Sequence, residues 1–501
     1  MMKCFWLLIL SAVSAFSAVA AFDKQQHEVQ PETLIVRGKK TNLLKLNKKD
    51  VEKAGVHKRK QQKKEGDGDA KAMVATNLGG WLVLEPWITP SLFYRFLGKQ
   101  PGVDGGVAMD SYSFCEVLGP ERGNQVMRAH YDSWITEEII SDLAKRDVEM
   151  LRVPIGDWTL TPYGPYIGCM DGAKEKIDWL MKMAEKYSMK VLLDVHALKG
   201  SQNGFDNSGQ TNRLTWQDTS HFSHWPDDVG EWQGEWSDEK QAYTYINYDN
   251  INWSLSQTEL MLQRWADDSS FYAFEPVNEP WWNSDLPSLF QFYRDCRAML
   301  QRYNKDAKFV FHDAFIYDSG LWNTLFDDND MDNVVIDHHY YQAWNHDMYT
   351  TDAFCDDYEL NSQYASSFKY PVWFGEWSLA TDICAHWLGG FNDGEDAPQM
   401  DCNWMDCPYS YLPSEYAVDF DRNATILGPF GTGNPDYFCI QSGKCSSDSL
   451  FFKDEDINTI AKCAMSSYNK YLDAHIMWTA RNEIEERWSY IQSYDKGWIS
   501  N

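Results

Sequence analysis

Two glutamates at the ends of short apolar runs are the strongest candidates for chemistry in this sequence. Glu279 closes the stretch Glu275-Pro-Val-Asn-Glu, and Glu376 closes a second run that begins at Val372. Two facing carboxylates can hydrolyse a glycosidic bond, one as the nucleophile and the other as the acid and base. Glu275 shares a strand face with Glu279 by parity and is the rival acid. We favour Glu279, because it is nearer the strand end and follows Asn278.

Charged and aromatic residues end several other apolar runs. Arg152, His196, His339 and Trp478 each lie within or directly after such a run. A buried charge is costly without a partner or a task, so several of them on separate strands indicate a functional site. The chain also contains 23 Trp and 27 Tyr, and aromatic rings in this number suit stacking against sugars.

Other reaction classes lack their motifs in this sequence. There is no G-x-S-x-G for a serine hydrolase, no P-loop and no GxGxxG for a nucleotide. His338 and His339 are adjacent, so in a strand they point to opposite faces and would not both bind one metal ion. We therefore expect no metal and no cofactor. The formal charge of −29 argues against nucleic-acid binding, which needs a basic surface.

From Met73 onward, the apolar runs alternate with helical patterns. Strands are predicted at Ala75–Leu78, Met150–Pro154, Val191–Val195, Phe271–Glu275, Phe309–Phe311, Val334–Asp337, Val372–Gly375 and His475–Trp478. Helices are predicted between them, for example at Glu137–Arg146, Lys174–Tyr187, Pro287–Tyr303 and Asp456–Leu472. This alternation predicts an α/β fold, a (β/α)8 TIM barrel with its chemistry at the carboxyl ends of the strands. Trp216–Gln257 and Asp382–Asp448 are predicted to be inserted loops.

Several longer motifs follow one another from Asn77 to Trp478. They are Asn77–Phe93, Leu151–Gly156, Gly200–Gly209, Asn278-Glu279-Pro280, His339 with Tyr341-Gln342, and Phe374–Ser378. In this order they resemble the motifs of the fungal and oomycete-type exo-β-1,3-glucanases of glycoside hydrolase family 5 (cellulase family A). The first and third motifs together are specific for that subfamily. The resemblance covers nearly the whole body of the chain.

The resemblance implies a retaining mechanism. Glu376 would be the nucleophile, and Glu279 would protonate the leaving oxygen and then activate water. Arg152 would keep Glu376 ionised and leave the shared proton on Glu279, so we expect an acidic optimum, roughly pH 4 to 6. Residues implied to bind the sugar or support the site are Glu85, Arg152, His196, Asn203, Phe205, Asp206, Asn207, Asn278, His339, Tyr341 and Trp478.

Three of these residues also have a purely structural interpretation. Glu85 could be a buried ion-pair partner, Trp478 a core residue and Phe205 a loop anchor. The sequence also departs from the family pattern. Ala480 and Arg481 stand where a second Trp and a Lys are usual, and the loop from Trp216 is longer than expected.

The resemblance implies an enzyme that releases glucose from the non-reducing ends of β-1,3-glucans in cell-wall glucan metabolism. Its partner would be the glucan polysaccharide or oligosaccharide, and we expect a monomer. The alternatives are another β-glucosidase or endo-β-glucanase specificity, or a catalytically dead carbohydrate-binding barrel. A dead barrel usually loses a catalytic Glu, whereas Glu279, Glu376 and Arg152 are all present.

The first part of the chain has the features of a secreted protein. Residues 1–20 contain Lys3, an apolar run and an Ala-Val-Ala cleavage pattern, so they are predicted to be a signal peptide. Residues 21–72 carry 14 basic and 8 acidic residues and one aromatic, so we expect a disordered pro-segment or linker. Residues 73–501 would form the catalytic barrel. We expect an extracellular or cell-wall location and no stable membrane anchor.

The cysteines and glycosylation motifs agree with secretion. Ten cysteines follow the signal segment, an even number that suits a disulfide-bonded chain whose pairing the sequence leaves open. Asn252 and Asn423 begin N-x-S/T sequences and are predicted glycosylation sites.

Overall fold

The computed structural model describes the body of the chain with several internal gaps. The described residues are 71–97, 106–211, 229–345, 348–382, 388, 399–400, 402, 406–423, 426–427 and 452–499. The predicted signal peptide and almost all of the basic segment lie outside them. Most of the predicted insertion Asp382–Asp448 lies outside them too.

Eight parallel strands close into a barrel, which confirms the predicted (β/α)8 architecture with insertions. The twelve strands of the described residues are β1 (Met73–Asn77), β2 (Met150–Gly156), β3 (Lys190–Ala197), β4 (Gly234–Ser237), β5 (Ala242–Ile246), β6 (Phe271–Glu275), β7 (Lys308–His312), β8 (Val334–Tyr340), β9 (Val372–Trp377), β10 (Gln399–Met400), β11 (Ile426–Leu427) and β12 (Ala474–Met477). The barrel order is β1-β12-β9-β8-β7-β6-β3-β2. Each predicted strand overlaps one barrel strand, because each apolar run is buried from both sides.

The helices between the strands form the outer layer. They are α1 (Pro90–Phe93), α2 (Ser111–Trp134), α3 (Glu137–Lys145), α4 (Ala173–Lys186), α5 (Tyr248–Trp265), α6 (Leu286–Tyr303), α7 (Ser319–Trp322), α8 (Thr351–Tyr364), α9 (Asp454–Tyr471) and α10 (Tyr490–Asp495). Side chains cap several of them: Thr136 accepts from the backbone N–H of Ile139, and Asp285 accepts from that of Ser288. The four predicted helices correspond to α3, α4, α6 and α9.

The predicted inserted loop Trp216–Gln257 is wrong in its second half. Gly234–Ser237 and Ala242–Ile246 pair as an antiparallel hairpin, and helix α5 already begins at Tyr248. Asn247 caps that helix by accepting from the N–H of Asn250. The polar, aromatic composition hid a hairpin followed by one of the barrel's own helices, while residues 212–228 lie outside the described part.

The register of the barrel strands places the candidate site residues side by side near the carboxyl ends of the strands. Asn77 of β1 pairs with Arg152 of β2, and His339 of β8 pairs with Glu376 of β9. Below that level the barrel is filled by apolar side chains: Ala75, Met150, Leu192, Ala273, Val310, Val335, Trp373, Ala474 and Ile476. The polar groups at the carboxyl ends therefore lie on a packed, dry floor.

Three disulfides are formed among the described residues. They join Cys115 to Cys169, Cys355 to Cys463 and Cys402 to Cys407. Cys296 is buried and free, so the even count of cysteines does not mean that every one is paired. Cys384, Cys439 and Cys445 lie outside the described residues.

The predicted glycosylation sites and the apolar character of the helices bear on the predicted secretion. The predicted glycosylation residues Asn252 and Asn423 are both exposed. In the part of the chain that the structure describes, no helix combines the length and apolar character needed to cross a membrane.

Candidate active site

Arg152 lies at the centre of the polar cluster and is fully buried. Its Nη1 atom donates to Oε1 of Glu376 at 2.8 Å, and its Nε atom donates to Oε2 of Glu275 at 3.0 Å. Its Nη2 atom also lies 3.2 Å from Oδ2 of Asp194. One guanidinium thus compensates several buried carboxylates, and burial of any of them without it would be costly.

The same guanidinium orients two amides. Nη1 donates to Oδ1 of Asn77 at 2.9 Å, and Nη2 donates to Oδ1 of Asn278 at 2.8 Å. Asn77 in turn donates to the backbone oxygen of Gly375 at 3.0 Å, which ties β1 to β9. Because the Asn278 oxygen is engaged, its amide NH2 is turned toward the pocket side, where it lies 3.4 Å from Nε2 of His196.

Glu376 is held from three directions. Besides Arg152, the hydroxyl of Tyr341 donates to Oε2 at 2.7 Å, and Nδ1 of His339 lies 3.4 Å from the same oxygen. The carboxylate is 4% exposed. A buried carboxylate that is fixed in this way cannot rotate away from a reacting carbon, which is what a nucleophile needs.

Glu279 lies opposite Glu376, on the turn that follows β6. Its Oε1 atom accepts from Nδ1 of His339 at 2.7 Å, and its Oε2 atom accepts from the Asn207 amide at 2.6 Å. The residue has a φ of 44°, a left-handed conformation that is uncommon for a side chain of this size. Such strain persists where the surrounding contacts impose it, as the bonds to Glu279 do here.

His339 connects the two carboxylates to the barrel floor. Its Nε2 atom lies 3.2 Å from Oδ2 of Asp337, whose other oxygen accepts from the N–H of Gly375 at 2.6 Å. A Cβ at position 375 would overlap the Asp337 carboxylate, so only glycine fits there. Both ring nitrogens of His339 face carboxylate oxygens, so both donate.

The pKa values of His339, Glu279 and Glu376 are shifted by burial and by the charges of their neighbours. Burial would lower the pKa of His339, but Glu376 and Asp337 raise it well above its usual value. Burial would raise the pKa of Glu279, but the hydrogen bond and charge of His339 lower it overall. Burial raises the pKa of Glu376, and the opposing charges of His339 and Arg152 do not cancel that rise.

These directions, lower for Glu279 and higher for Glu376, are opposite to the order expected from the charge of Arg152 alone. Burial is the largest cause of the raised pKa of Glu376, and the charge of Glu279 adds to it. Arg152 opposes that rise, although it also pairs with Glu275 and Asp194.

His196 and Trp478 form one wall of the site. Nδ1 of His196 bonds to Oδ2 of Asp194 at 2.6 Å, which fixes the ring. The ring of Trp478 stacks on it, with centroids 5.2 Å apart and planes 8° apart. Trp478, which directly follows β12 and is 3% exposed, is therefore held in a fixed orientation.

Glu85 has no basic partner among the described residues, so the ion-pair interpretation is not supported. Its Oε2 atom accepts from the indole N–H of Trp87 at 3.0 Å, while its Oε1 atom is buried without a hydrogen-bond partner in that part of the chain. Burial, with the charge of Asp206, raises its pKa well above the usual value. Because buried polar atoms are normally hydrogen-bonded, the unpartnered Oε1 atom of Glu85 is suited to bind a hydroxyl group of a ligand.

The loop after β3 supports the acid. Asn203 donates to the backbone oxygen of Glu279 at 3.3 Å, and Asn207 donates to its side chain. Phe205 packs edge-on against Trp281 with centroids 5.0 Å apart. Burial, with the charge of a neighbouring aspartate, raises the pKa of Asp206 to about 7.

Sequence reasoning missed Asp194, Asp337 and His312. The first two each stand two residues before a histidine on the same strand and therefore on the same face, so the repeated Asp-x-His pattern was an available signal. His312 ends β7 and packs edge-on against His339 with centroids 4.4 Å apart. No pattern in the sequence distinguished it from a core residue.

The adjacent histidines His338 and His339 do not converge on one site. His338 bonds to Asp313 at 2.7 Å and His339 bonds to Glu279, so the adjacent histidines point to different partners as parity predicts. Potential ligand atoms of Glu279, His312 and His339 do lie within 4.8 Å of one another.

Comparison with known proteins gives a consistent family. A model described as cellulase (glycosyl hydrolase family 5) matches residues 120–386, more than half of the chain. The glucan 1,3-beta-glucosidase of Blumeria graminis is 32% identical over 326 residues, covering 64% of this chain and 67% of that protein. The probable glucan 1,3-beta-glucosidase A of Aspergillus niger is 30% identical over 373 residues, covering 71% and 77%.

A solved structure gives the same fold. The rutinosidase from Aspergillus niger superimposes with a TM-score of 0.55 at 18% sequence identity, covering 86% of this chain and 98% of that chain. At this identity the likeness concerns the fold alone.

Proposed function

The chain belongs to glycosyl hydrolase family 5 and is a glycoside hydrolase, and from this premise we propose a retaining exo-β-1,3-glucosidase that releases glucose from the non-reducing ends of β-1,3-glucans. The observation that carries the mechanism is that Glu279 and Glu376 both lie within 3.4 Å of one nitrogen, Nδ1 of His339. That closeness favours a retaining pair, about 5 Å apart, over an inverting pair, which needs ~6.5–9.5 Å to hold a water. The linkage is proposed from the relatives, two of which are named glucan 1,3-beta-glucosidases.

In the first step, a carboxylate oxygen of Glu376 attacks the anomeric carbon and the glycosidic C–O bond breaks. Glu279 gives its proton to the leaving oxygen, so the shortened glucan departs as a neutral alcohol. In the second step, the Glu279 carboxylate removes a proton from water while that water attacks the same carbon. Glu376 leaves as a carboxylate, and two inversions give net retention.

His339 is proposed to hold the proton that the first step uses. Nδ1 of His339 lies 2.7 Å from Oε1 of Glu279, and the charges of Glu376 and Asp337 raise the pKa of His339 well above its usual value. Substrate binding excludes water and brings the glycosidic oxygen to Glu279, and transfer along this hydrogen bond then puts the proton on the acid. Asp337 accepts from the other ring nitrogen and keeps the ring in place.

The remaining pocket residues are proposed to bind the terminal glucose. The amide of Asn278, fixed by Arg152, would donate to the 2-hydroxyl, a contact that tightens in the transition state. The unpartnered oxygen of Glu85 would bond a hydroxyl of the same sugar. Trp478 would stack on the ring face, and Phe205 with Asp206 would lie beyond it at the entrance.

Product analysis tests the substrate and the exo action together. The enzyme is incubated with laminarin and, separately, with cellulose oligomers, and products are separated from the earliest times. Glucose as the sole early product from laminarin supports the proposal. Early release of longer oligomers would indicate endo action, and faster cleavage of the cellulose oligomers would assign another linkage.

We propose further that the chain is secreted to the extracellular space or cell wall as a monomer, with residues 1–20 as its signal peptide. Ala21–Lys71 is proposed to be dispensable for catalysis, since every site residue named above follows Met73. Secretion of the full chain and of a variant lacking Ala21–Lys71, followed by N-terminal sequencing and assay, tests both statements. Loss of activity without the segment would contradict this division.

A further inference from the structure

A cluster of aromatic side chains lies outside the catalytic pocket. Trp282 follows Glu279 by three residues and is 37% exposed. It packs edge-on against Trp236 of β4, with centroids 6.5 Å apart, and Trp236 packs against Tyr243 of β5 at 5.4 Å. We call Trp282, Trp236 and Tyr243 the outer aromatic cluster.

This cluster continues the aromatic lining of the pocket entrance. Trp281 packs between Phe205 and Phe315, with centroid distances of 5.0 and 4.9 Å. Its chain neighbour Trp282 then leads to the hairpin formed by β4 and β5. The two groups of rings are thus joined through adjacent residues of the loop that carries Glu279.

The hairpin is held in place by the loop that carries Glu279 and by the loop after β3. Gln233 donates to the backbone oxygen of Asp285 at 3.1 Å and accepts from its N–H at 3.0 Å. On the other side, the N–H groups of Glu231 and Trp232 donate to the backbone oxygens of the loop after β3, both at 2.9 Å. Trp236 is therefore positioned before any ligand arrives, which lowers the entropic cost of binding.

We propose that the outer aromatic cluster binds glucosyl residues on the leaving-group side of the cleaved bond, beyond the sugar that contacts Phe205. This inference rests on the proposed function and extends it to chain-length selectivity. Glu279 protonates the leaving oxygen, so the remaining glucan chain must leave the pocket past the loop that carries Trp281 and Trp282. The exposed indole of Trp282 and the partly exposed indole of Trp236 suit the apolar faces of sugar rings.

Contacts so far from the reacting carbon act equally in the ground state and the transition state. They therefore lower KM for long chains and leave kcat unchanged. Short substrates that end before the cluster cannot use them. A rise of KM that is confined to long substrates would therefore identify a loss of these contacts, because a defect in folding or in catalysis affects short substrates as well.

The experiment compares Trp282→Ala and Trp236→Ala with wild type on laminari-oligosaccharides of two to seven units and on an aryl β-glucoside. Tyr187→Ala is the matched control, because Tyr187 is partly exposed at the opposite end of the barrel, just before β3 begins at Lys190. Each cluster variant is expected to raise KM for the hexamer about fivefold, the effect of losing one aromatic contact, with kcat unchanged. KM for the disaccharide and for the aryl glucoside should stay within about twofold of wild type, as should all values for the control.

Trp282→Phe provides a second test, since it keeps a ring and should recover part of the hexamer affinity. An equal rise of KM on all substrates, or no rise on the hexamer, would overturn the inference. Failure of the proposed function is distinguishable, because it appears in the wild type as a lack of glucose release from β-1,3-oligomers. In that case the same length series is measured with the linkage that the wild type does cleave, and the same two outcomes decide.

Discussion

Nδ1 of His339 lies 2.7 Å from Oε1 of Glu279, so a histidine is hydrogen-bonded directly to the proposed general acid. Glu376 and Asp337, the latter on the other ring nitrogen, raise the pKa of His339 well above its usual value. His339 is therefore a third titrating group beside the two carboxylates. Because Glu279, Glu376 and His339 interact, the apparent pKa values seen in a pH profile belong to the three groups together.

The acid limb of the kcat/KM profile should report the ionisation of Glu376. Because burial raises its pKa above the usual 4.5, that limb should lie above pH 4.5. The Tyr341 hydroxyl stabilises the ionised form through its 2.7 Å bond. Removing a donor to the charged form raises a pKa, so Tyr341→Phe should move the acid limb to higher pH by about one unit.

Tyr340→Phe is the control for this profile. Tyr340 points away from the pocket and donates to Asp357, so its loss should leave the limb in place. Both variants are measured on an aryl β-glucoside from pH 3 to 8. A limb that stays put or moves to lower pH in Tyr341→Phe would contradict the contact with the nucleophile.

Substitutions of Glu376 and Glu279 should impair different steps of the reaction. Glu376→Gln should abolish turnover, because no covalent intermediate forms. Glu279→Ala should reduce kcat/KM on laminarin by about 10²–10⁴-fold, the usual contribution of a general acid. An aryl glucoside with an activated leaving group should still form the glycosyl-enzyme, and azide should then restore turnover.

Glu275→Gln separates the acid from its rival. Glu275 donates no proton to substrate in our assignment, since its carboxylate is buried against Arg152 at 3.0 Å. Azide should not rescue this variant on any substrate. Rescue of Glu275→Gln, with none for Glu279→Ala, would reverse the assignment.

Arg152→Lys should impair both activity and stability. A lysine has a single charged nitrogen and cannot replace contacts to Glu376, Glu275, Asn77 and Asn278 at once. Leaving buried carboxylates without compensation typically costs ~3–5 kcal/mol. We expect a lower urea midpoint and a fall in kcat/KM of at least about a hundredfold. Unchanged stability would mean that the carboxylates are protonated in the wild type.

The sequence was informative where burial dictates residue type. The barrel strands are continuous apolar runs, and Glu376 and Arg152 are conspicuous because charges interrupt those runs. The hairpin of β4 and β5 was missed because its composition, polar and aromatic, is also that of a loop. The directions of the carboxyl pKa shifts could not be predicted from the sequence, because burial and the charge of His339 act through three-dimensional distances that a one-dimensional pattern does not give.

The last prediction concerns His475 on β12 and the stability of the barrel in acid. Both ring nitrogens are buried without a hydrogen-bond partner in the described part of the chain, and the ring packs against Trp377 and Tyr468. Burial lowers its pKa from 6.5 to about 4. The unfolded chain therefore binds this proton more readily than the folded chain between those values. Since stability rises with pH wherever the unfolded state holds more protons, the contribution is complete above pH 6.5 and is lost as pH falls toward 4.

The size of the effect follows from the separation of the two pKa values, and it reaches roughly 3 kcal/mol at the acid end. His475→Leu removes the titrating group from an apolar site. Its free energy of unfolding, measured with urea at pH 7, 5.5 and 4, should fall less steeply than that of wild type. Some dependence should remain, because burial also lowers the pKa of His130 to about 4. Parallel curves for the two proteins would show that His475 is not buried as a neutral ring.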